Sequence, residues 1–179
     1  MRILKVAAPA AILVAAGCIL TSGQITISFP LQDPLLVTNT SPVFSEIVDL
    51  NTIGDYADHK DKLESLSDAA LLGEVTNNSS VDVTATAYFT RDTTPVLATP
   101  VDVANNAIKL WGPFTIAAGA TRLIGWDESA ALIDDAGRDA LIEEIKGDGV
   151  FRAYIVGPTG IFSFTVNKPT LVLTLDAGV

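Results

Sequence analysis

The chain has 179 residues, 49% hydrophobic and 18% charged, with 21 Asp+Glu against 11 Lys+Arg and a formal net charge of −10. That length suits a single domain, and the apolar content excludes a disordered chain. A protein so acidic, with no basic stretch, repels nucleic acid and anionic lipid headgroups, and its single cysteine allows no internal disulfide.

The first element is an address. Arg2 and Lys5 give a positive start, Val6 to Val14 is apolar around Pro9, and the small residues Ala15, Ala16 and Gly17 lead to Cys18. This is the build of a secretory signal peptide over residues 1–17. The uncharged run from Val6 to Leu20 is shorter than the roughly 20 residues a spanning helix needs. Ala15-Ala16-Gly17-Cys18 resembles the lipobox of bacterial lipoproteins, with Ala15 where that family usually carries Leu. The resemblance implies cleavage before Cys18, a diacylglycerol on its thiol and acylation of the new amine. One acyl chain anchors marginally, at about 0.8 kcal/mol per buried methylene, whereas two or three hold firmly. Ile19, not Asp, follows the cysteine, which in that family implies the outer membrane over the inner one. The plainer alternative is an ordinary cleaved signal that leaves Cys18 a stray thiol or removes it.

Residues 18–24 read as a lipidated tether and residues 25–179 as one β domain. Ile25, Ile27 and Phe29 alternate with polar neighbours as in a half-buried strand that Pro30 ends. Gln32-Asp33-Pro34 is a turn, Leu35-Leu36-Val37 a short strand, and Val43 to Leu50 a weaker one. Asn51 to Lys62 is polar and reads as a loop, with room for one helical turn. Ala69 to Thr76 is a strand, Asn77-Asn78-Ser79-Ser80 a turn, and Val81 to Phe89 the cleanest alternation in the chain. The last two strands are expected to pair as a hairpin. Ala69 to Phe89 also bears a faint likeness to the sandwich domain of late-embryogenesis-abundant proteins of the water-stress class. That likeness rests on a strand, an Asn-containing turn and an alternating strand, and carries no function.

Arg91 to Pro100 is a connection. Ile108, Leu110, Phe114 and Ile116 mark a strand with a bulge at Trp111-Gly112-Pro113, and Ala117 to Ala120 turns the chain back through Thr121 to Trp126 as a second hairpin. From Asp127 the period changes: Ile133, Ala136, Ala140, Leu141 and Ile145 recur at helical spacing. Ser129 or Asp127 caps this helix, Gly137 bends or splits it, and Gly147 ends it. Phe151, Ala153 and Ile155 form a strand. Gly157-Pro158-Thr159-Gly160 turns, and Phe162 to Val166 and Leu171 to Leu175 are strands separated by Lys168-Pro169. Seven to nine short strands and one helix near residues 128–146 predict a mainly β fold: an antiparallel, immunoglobulin-like β-sandwich. The helix should cover an open end or an edge.

The residues that carry chemistry are sparse. His59 is the only histidine and no Gly-x-Ser-x-Gly elbow exists, so no catalytic residues are assigned and the chain does not read as an enzyme. Asp55, Asp58 and Asp61 are weak calcium candidates, since Ca²⁺ takes six to eight oxygens, but the spacing is not that of an EF-hand and a solvated acidic loop is the simpler reading. No cofactor motif is present. Trp111 and Trp126, the only tryptophans, are either core packing or an exposed aromatic pair at a binding surface. The leading expectation is a lipid-anchored, non-enzymatic envelope protein that binds a partner protein or plays a structural role. The second is a carrier of a lipid or other apolar ligand with the helix as lid. The third is a hydrolase that uses paired Asp/Glu carboxylates.

Overall fold

A computed structural model describes residues 22–178, so the signal peptide and Cys18 lie outside the described residues. Nine strands run in chain order: β1 Ser22–Pro30, β2 Leu35–Thr38, β3 Val43–Asp49, β4 Leu63–Asn77, β5 Val83–Thr90, β6 Ile108–Ile116, β7 Thr121–Ile124, β8 Val150–Val156 and β9 Ser163–Gly178. The helices are α1 Gly54–His59, α2 Pro100–Asn106, α3 Trp126–Ala130 and α4 Asp135–Lys146.

One sheet has the order β1-β9-β4-β7, with β2 also on β9, and the other has the order β3-β8-β5-β6. Every pairing is antiparallel. The predicted antiparallel β-sandwich is therefore the fold. Because β1 and β2 pair with successive halves of β9, they act as one interrupted edge strand. Counted so, the strand order is that of an eight-stranded jelly roll, and the immunoglobulin-like label holds at the level of two packed antiparallel sheets.

The alternating apolar positions meet between the sheets. Ile27, Leu35, Phe164 and Leu173 from one sheet and Val48, Phe89, Ile116 and Phe151 from the other are at most 1% exposed. Each such side chain contributes about 1.5–3 kcal/mol of burial. The Phe89 and Phe151 rings meet edge to face at 5.8 Å.

Both predicted hairpins are corrected. β4 lies in one sheet and β5 in the other, and the same holds for β6 and β7. Period-2 alternation says which face of a strand is buried but not which strand it pairs with, so an arch between sheets reads like a hairpin. Asn77 builds the arch: its Nδ2 donates to Val81 O (2.8 Å), Ile116 O (3.1 Å) and Ala117 O (3.1 Å). Its Oδ1 accepts from Ser79 N at 2.8 Å. Lys168-Pro169 does not divide two strands. It is a kink within β9, where Lys168 N donates to Asp33 Oδ1 (2.8 Å) and Pro169 O accepts from Leu31 N (2.9 Å). These bonds hold the chain where β1 passes into β2.

The helix expected near 128–146 is two helices. The break falls at residues 131–134, not at Gly137, because that linker pairs with the edge of β6. Gly112 N donates to Leu132 O and Asp134 N to Leu110 O, each at 2.9 Å. Asp134, not Ser129 or Asp127, caps α4 by accepting from Gly137 N at 3.1 Å. Gly137 is where α4 crosses β6 most closely: a Cβ there would stand 2.0 Å from Lys109 O. The predicted bulge at Trp111-Gly112-Pro113 is present, with Gly112 at φ 95° and register shifts on both sides of Ala87. α2 was not predicted. Its signals are Thr99, whose Oγ1 accepts from Asp102 N at 3.1 Å, and Pro100 at the first helical position.

Candidate functional site

The α3–α4 segment closes the side of the sandwich that β4 and β6 leave open, and the residues that lock it include a predicted binding candidate. Trp111 is 3% exposed. Its Nε1 donates to Ser129 O (3.0 Å) and Ser129 Oγ (2.9 Å). Ser129 Oγ in turn accepts from Leu71 N at 2.7 Å and donates to Leu71 O at 2.9 Å. One hydroxyl thus uses its donor and both acceptor sites. It stands in for a neighbouring strand beside β4, where the β7 pairing has stopped at Gly73. Trp111 is therefore core, the first of its two readings, and not a surface anchor: the bulge at Gly112 turns it inward. Trp126 is half-buried, with Nε1 3.2 Å from Asp68 Oδ2. It borders a shallow groove of about 520 Å³ with Leu72, Leu123, Asn167 and Lys168. The two tryptophans do not form a common surface.

At the end of the sandwich where the described chain begins and ends, α1 packs against the last turn of α4. Tyr56 is fully buried, and its hydroxyl donates to Ile145 O at 2.6 Å. Burial, with the negative charges of Asp148, Asp49 and Glu144 around it, pushes this phenol up to about 12. Glu144 is raised to about 6, first by burial and then by its hydrogen bond to Asp148 and that group's charge. Asp148 is held below its ordinary value by the Val150 N–H and by Glu144. Lys60 Nζ and Asn51 Nδ2 both donate to Asp148 O at 2.9 Å. Sequence reasoning missed this carboxyl pair because Glu144 and Asp148 belong to different patterns, one on a helix and one in the loop after it. The one available signal was a tyrosine inside an otherwise polar stretch.

The calcium candidates do not converge. Asp55 and Asp58 are exposed on α1 and Asp61 on the following turn. Among the described residues no group of three or more His, Cys, Asp or Glu is placed to hold a metal ion. His59 Nδ1 lies 2.8 Å from Asp55 O, within its own helix. Among the described residues, small apolar cavities of about 30 and 20 Å³ lie between the sheets. Each has room for about one water, against the several hundred Å³ of a small-molecule pocket. α4 thus rests on a filled core, with Leu141 and Ile145 buried in it, and not over a cleft. No helix among the described residues is long and apolar enough to cross a membrane.

No family model matches the chain, and no curated protein matches it. Solved viral structures show a distant likeness. The infectious bursal disease virus T13 particle protein is 10% identical with a TM-score of 0.31, over 87% of this chain and 36% of that one. The Gx strain of that virus gives 10% identity, a TM-score of 0.29 and coverage of 88% and 36%. Desmodium yellow mottle tymovirus gives 12% and 0.23, over 100% and 97%. The chain thus spans about a third of the first two proteins, and likeness at these scores carries no argument about function.

Proposed function

We propose that the protein is a lipid-anchored component of a bacterial cell envelope, placed at the outer membrane where there are two, with a non-enzymatic binding or structural role. The observation that carries the reading is the lipobox-like Ala15-Ala16-Gly17-Cys18 directly upstream of a folded domain. β1 begins at Ser22, so three residues, 19–21, separate Cys18 from the first strand. This shortens the tether expected over residues 18–24. The fully bonded sandwich supports a role as a rigid head: no buried side-chain nitrogen or oxygen among the described residues lacks a hydrogen-bond partner.

The deciding experiment is the intact mass of the N-terminal peptide, from wild type and from Cys18→Ser, with membrane fractionation of both. A diacylglyceryl-cysteine at the wild-type N-terminus and release of the variant from membranes are expected. A wild-type chain that begins elsewhere without lipid would overturn the anchor.

A further inference from the structure

The edges of the two sheets are not alike. Residues 131–134 pair with the β6 edge, through Gly112 N to Leu132 O and Asp134 N to Leu110 O. β7 is four residues long and carries Arg122. On β3 the Glu46 carboxylate accepts from Gln32 N at 2.9 Å, which ties that edge to the chain entering β2. The remaining edge opens with β1, nine residues without a charge and with their one proline last. Charges, prolines, short length and covering segments keep an edge from taking a further strand, and Gly23 to Phe29 has none of them. The register shows which backbone groups β1 leaves free. Leu31 N donates to Pro169 O, and the partners of β1 on β9 continue from there one for one. Along an antiparallel strand, residues alternate between facing the partner and facing away. Gly23, Ile25, Ile27 and Phe29 therefore point their N–H and C=O to β9, and Gln24, Thr26 and Ser28 point theirs outward. Pro30, which has no N–H, falls on the outward side. Among the described residues no other element hydrogen-bonds the outward groups.

We infer that the β1 edge binds an extended, basic, alternately apolar segment of a partner protein, which joins the sheet as a further strand. The backbone supplies affinity, through the outward donors and acceptors of Gln24, Thr26 and Ser28. The two faces of β1 set the alternation. Ile25 and Phe29 are half-buried at the rim of the core, whereas Gln24, Thr26 and Ser28 are exposed. An added strand sets apolar side chains beside the first pair and polar ones beside the other three. Charge selects the sign. The chain carries −10, which disfavours an acidic segment and a second copy of the chain alike. Acids also flank β1 at both ends. Asp176 Oδ1 accepts from Gln24 Nε2 at 3.0 Å, and Asp33 follows Pro30 in the turn to β2. An added strand lies about 10 Å from β9 at the usual strand spacing, within the Debye length of about 8–10 Å, so a lysine or arginine at each of its ends meets an acid. The inference names a partner chemistry for the binding role proposed above. It uses only the described domain and does not rest on the lipid anchor.

The test is titration of the isotope-labelled, full-length Cys18→Ser chain with the peptide Lys-Val-Thr-Val-Lys-Val-Thr-Val-Lys, followed by backbone amide resonances. Shifts centred on Gln24, Thr26 and Ser28 are expected. The same peptide with every Val and Thr N-methylated keeps its side chains but loses those donors, and should bind at least about tenfold more weakly. That comparison leaves the protein unaltered. The peptide with Glu for each Lys should also bind at least about tenfold more weakly, and the gap should narrow as salt rises. In the protein, Thr26→Lys places a charge on an exposed position of the edge. It should weaken the basic peptide and strengthen the acidic one, with amide resonances outside β1 and its neighbours unchanged. The chain carries no lipid, so failure here leaves the anchor untouched. No shift on β1, shifts centred on another element, or equal binding of the N-methylated or the acidic peptide would each overturn the proposal. So would a chain that is already dimeric through β1 without peptide.

Discussion

Ser129 carries more of the fold than its size suggests. A buried hydroxyl that bonds both backbone groups of Leu71 and the Trp111 indole holds two sheets and a helix at one point. Truncation leaves Trp111 Nε1 its bond to Ser129 O but orphans the Leu71 N–H and C=O. Buried groups left unpaired cost on the order of 1–3 kcal/mol. Ser129→Ala should therefore lower unfolding free energy by about that amount, read as a shift in urea midpoint at unchanged slope. A shift within a few tenths of a kcal/mol would show that water satisfies Leu71. The sequence made Trp111 and Ser129 visible but left Trp111 open between core packing and a surface pair, and offered Ser129 only as one of two helix caps. Trp111 sits on the wrong parity for its strand until the bulge at Gly112 is counted. A serine near a helix start has the same signature whether it caps that helix or bonds a strand 58 positions away.

At the scale of elements, the end of α4 is built to feel pH. Glu143 and Glu144 stand in its last turn, where the helix dipole disfavours negative charge, and Asp148 follows in the loop. Asp49, Tyr56, Lys60, Arg91 and Asp92 are the other ionisable groups acting there. The folded state raises Glu144 from 4.5 to about 6. Between those values the native protein holds a proton that the unfolded chain has released. The contribution is therefore fully present below about pH 4.5 and is lost as pH rises through about 6. Asp148 and Asp176 are shifted the other way, and their contribution fails only as pH falls through folded values below 3.8, outside that window. Urea unfolding between pH 4.5 and 7 should show stability falling with pH in wild type and a flatter profile in Glu144→Gln. Equal slopes would remove the carboxyl pair from the account. Elements of this kind were legible one at a time. The helical period located α4, and the strands from β1 to β9 appear near their predicted places. Partners were not legible, because burial alternation has no address: β4 and β5 look like a hairpin in sequence, whereas β4 pairs with β7 and β9 and β5 with β6 and β8, and the Asn77 amide, bonded across 39 and 40 positions to Ile116 and Ala117, holds the crossing.

For the whole molecule, a lipid on Cys18, as proposed above, would set an orientation through the short stretch of sequence before β1. Four residue steps from Cys18 to Ser22 span at most about 14 Å, since an extended residue covers about 3.3–3.6 Å. Ser22 pairs with Gly178 and Leu63 with Ala177, so the starts of β1 and β4 and the end of β9 share one end of the sandwich, the end that a lipid on Cys18 would hold nearest a bilayer. β4 then runs from Leu63 to Asn77, about 45–50 Å at strand rise, which would carry the loops of the other end, residues 39–42, 78–82, 117–120 and 157–162, well clear of the headgroups. That end carries Asp49, Asp55, Asp58, Asp61 and Asp148 against Lys60 and Lys62, so anionic lipid should push it outward while the anchor holds it, without tipping the sandwich over. The orientation can be read by energy transfer from a fluorophore at position 62 or at position 159 to an acceptor in the headgroups of vesicles carrying the lipidated protein. Transfer should be strong from 62 and weak from 159, and the contrast should persist when anionic lipid is added. Similar transfer from both positions would mean that the domain lies flat or tumbles on its tether. In that case the three residues between Cys18 and β1 do not orient it, even if the mass of the N-terminal peptide shows the lipid in place.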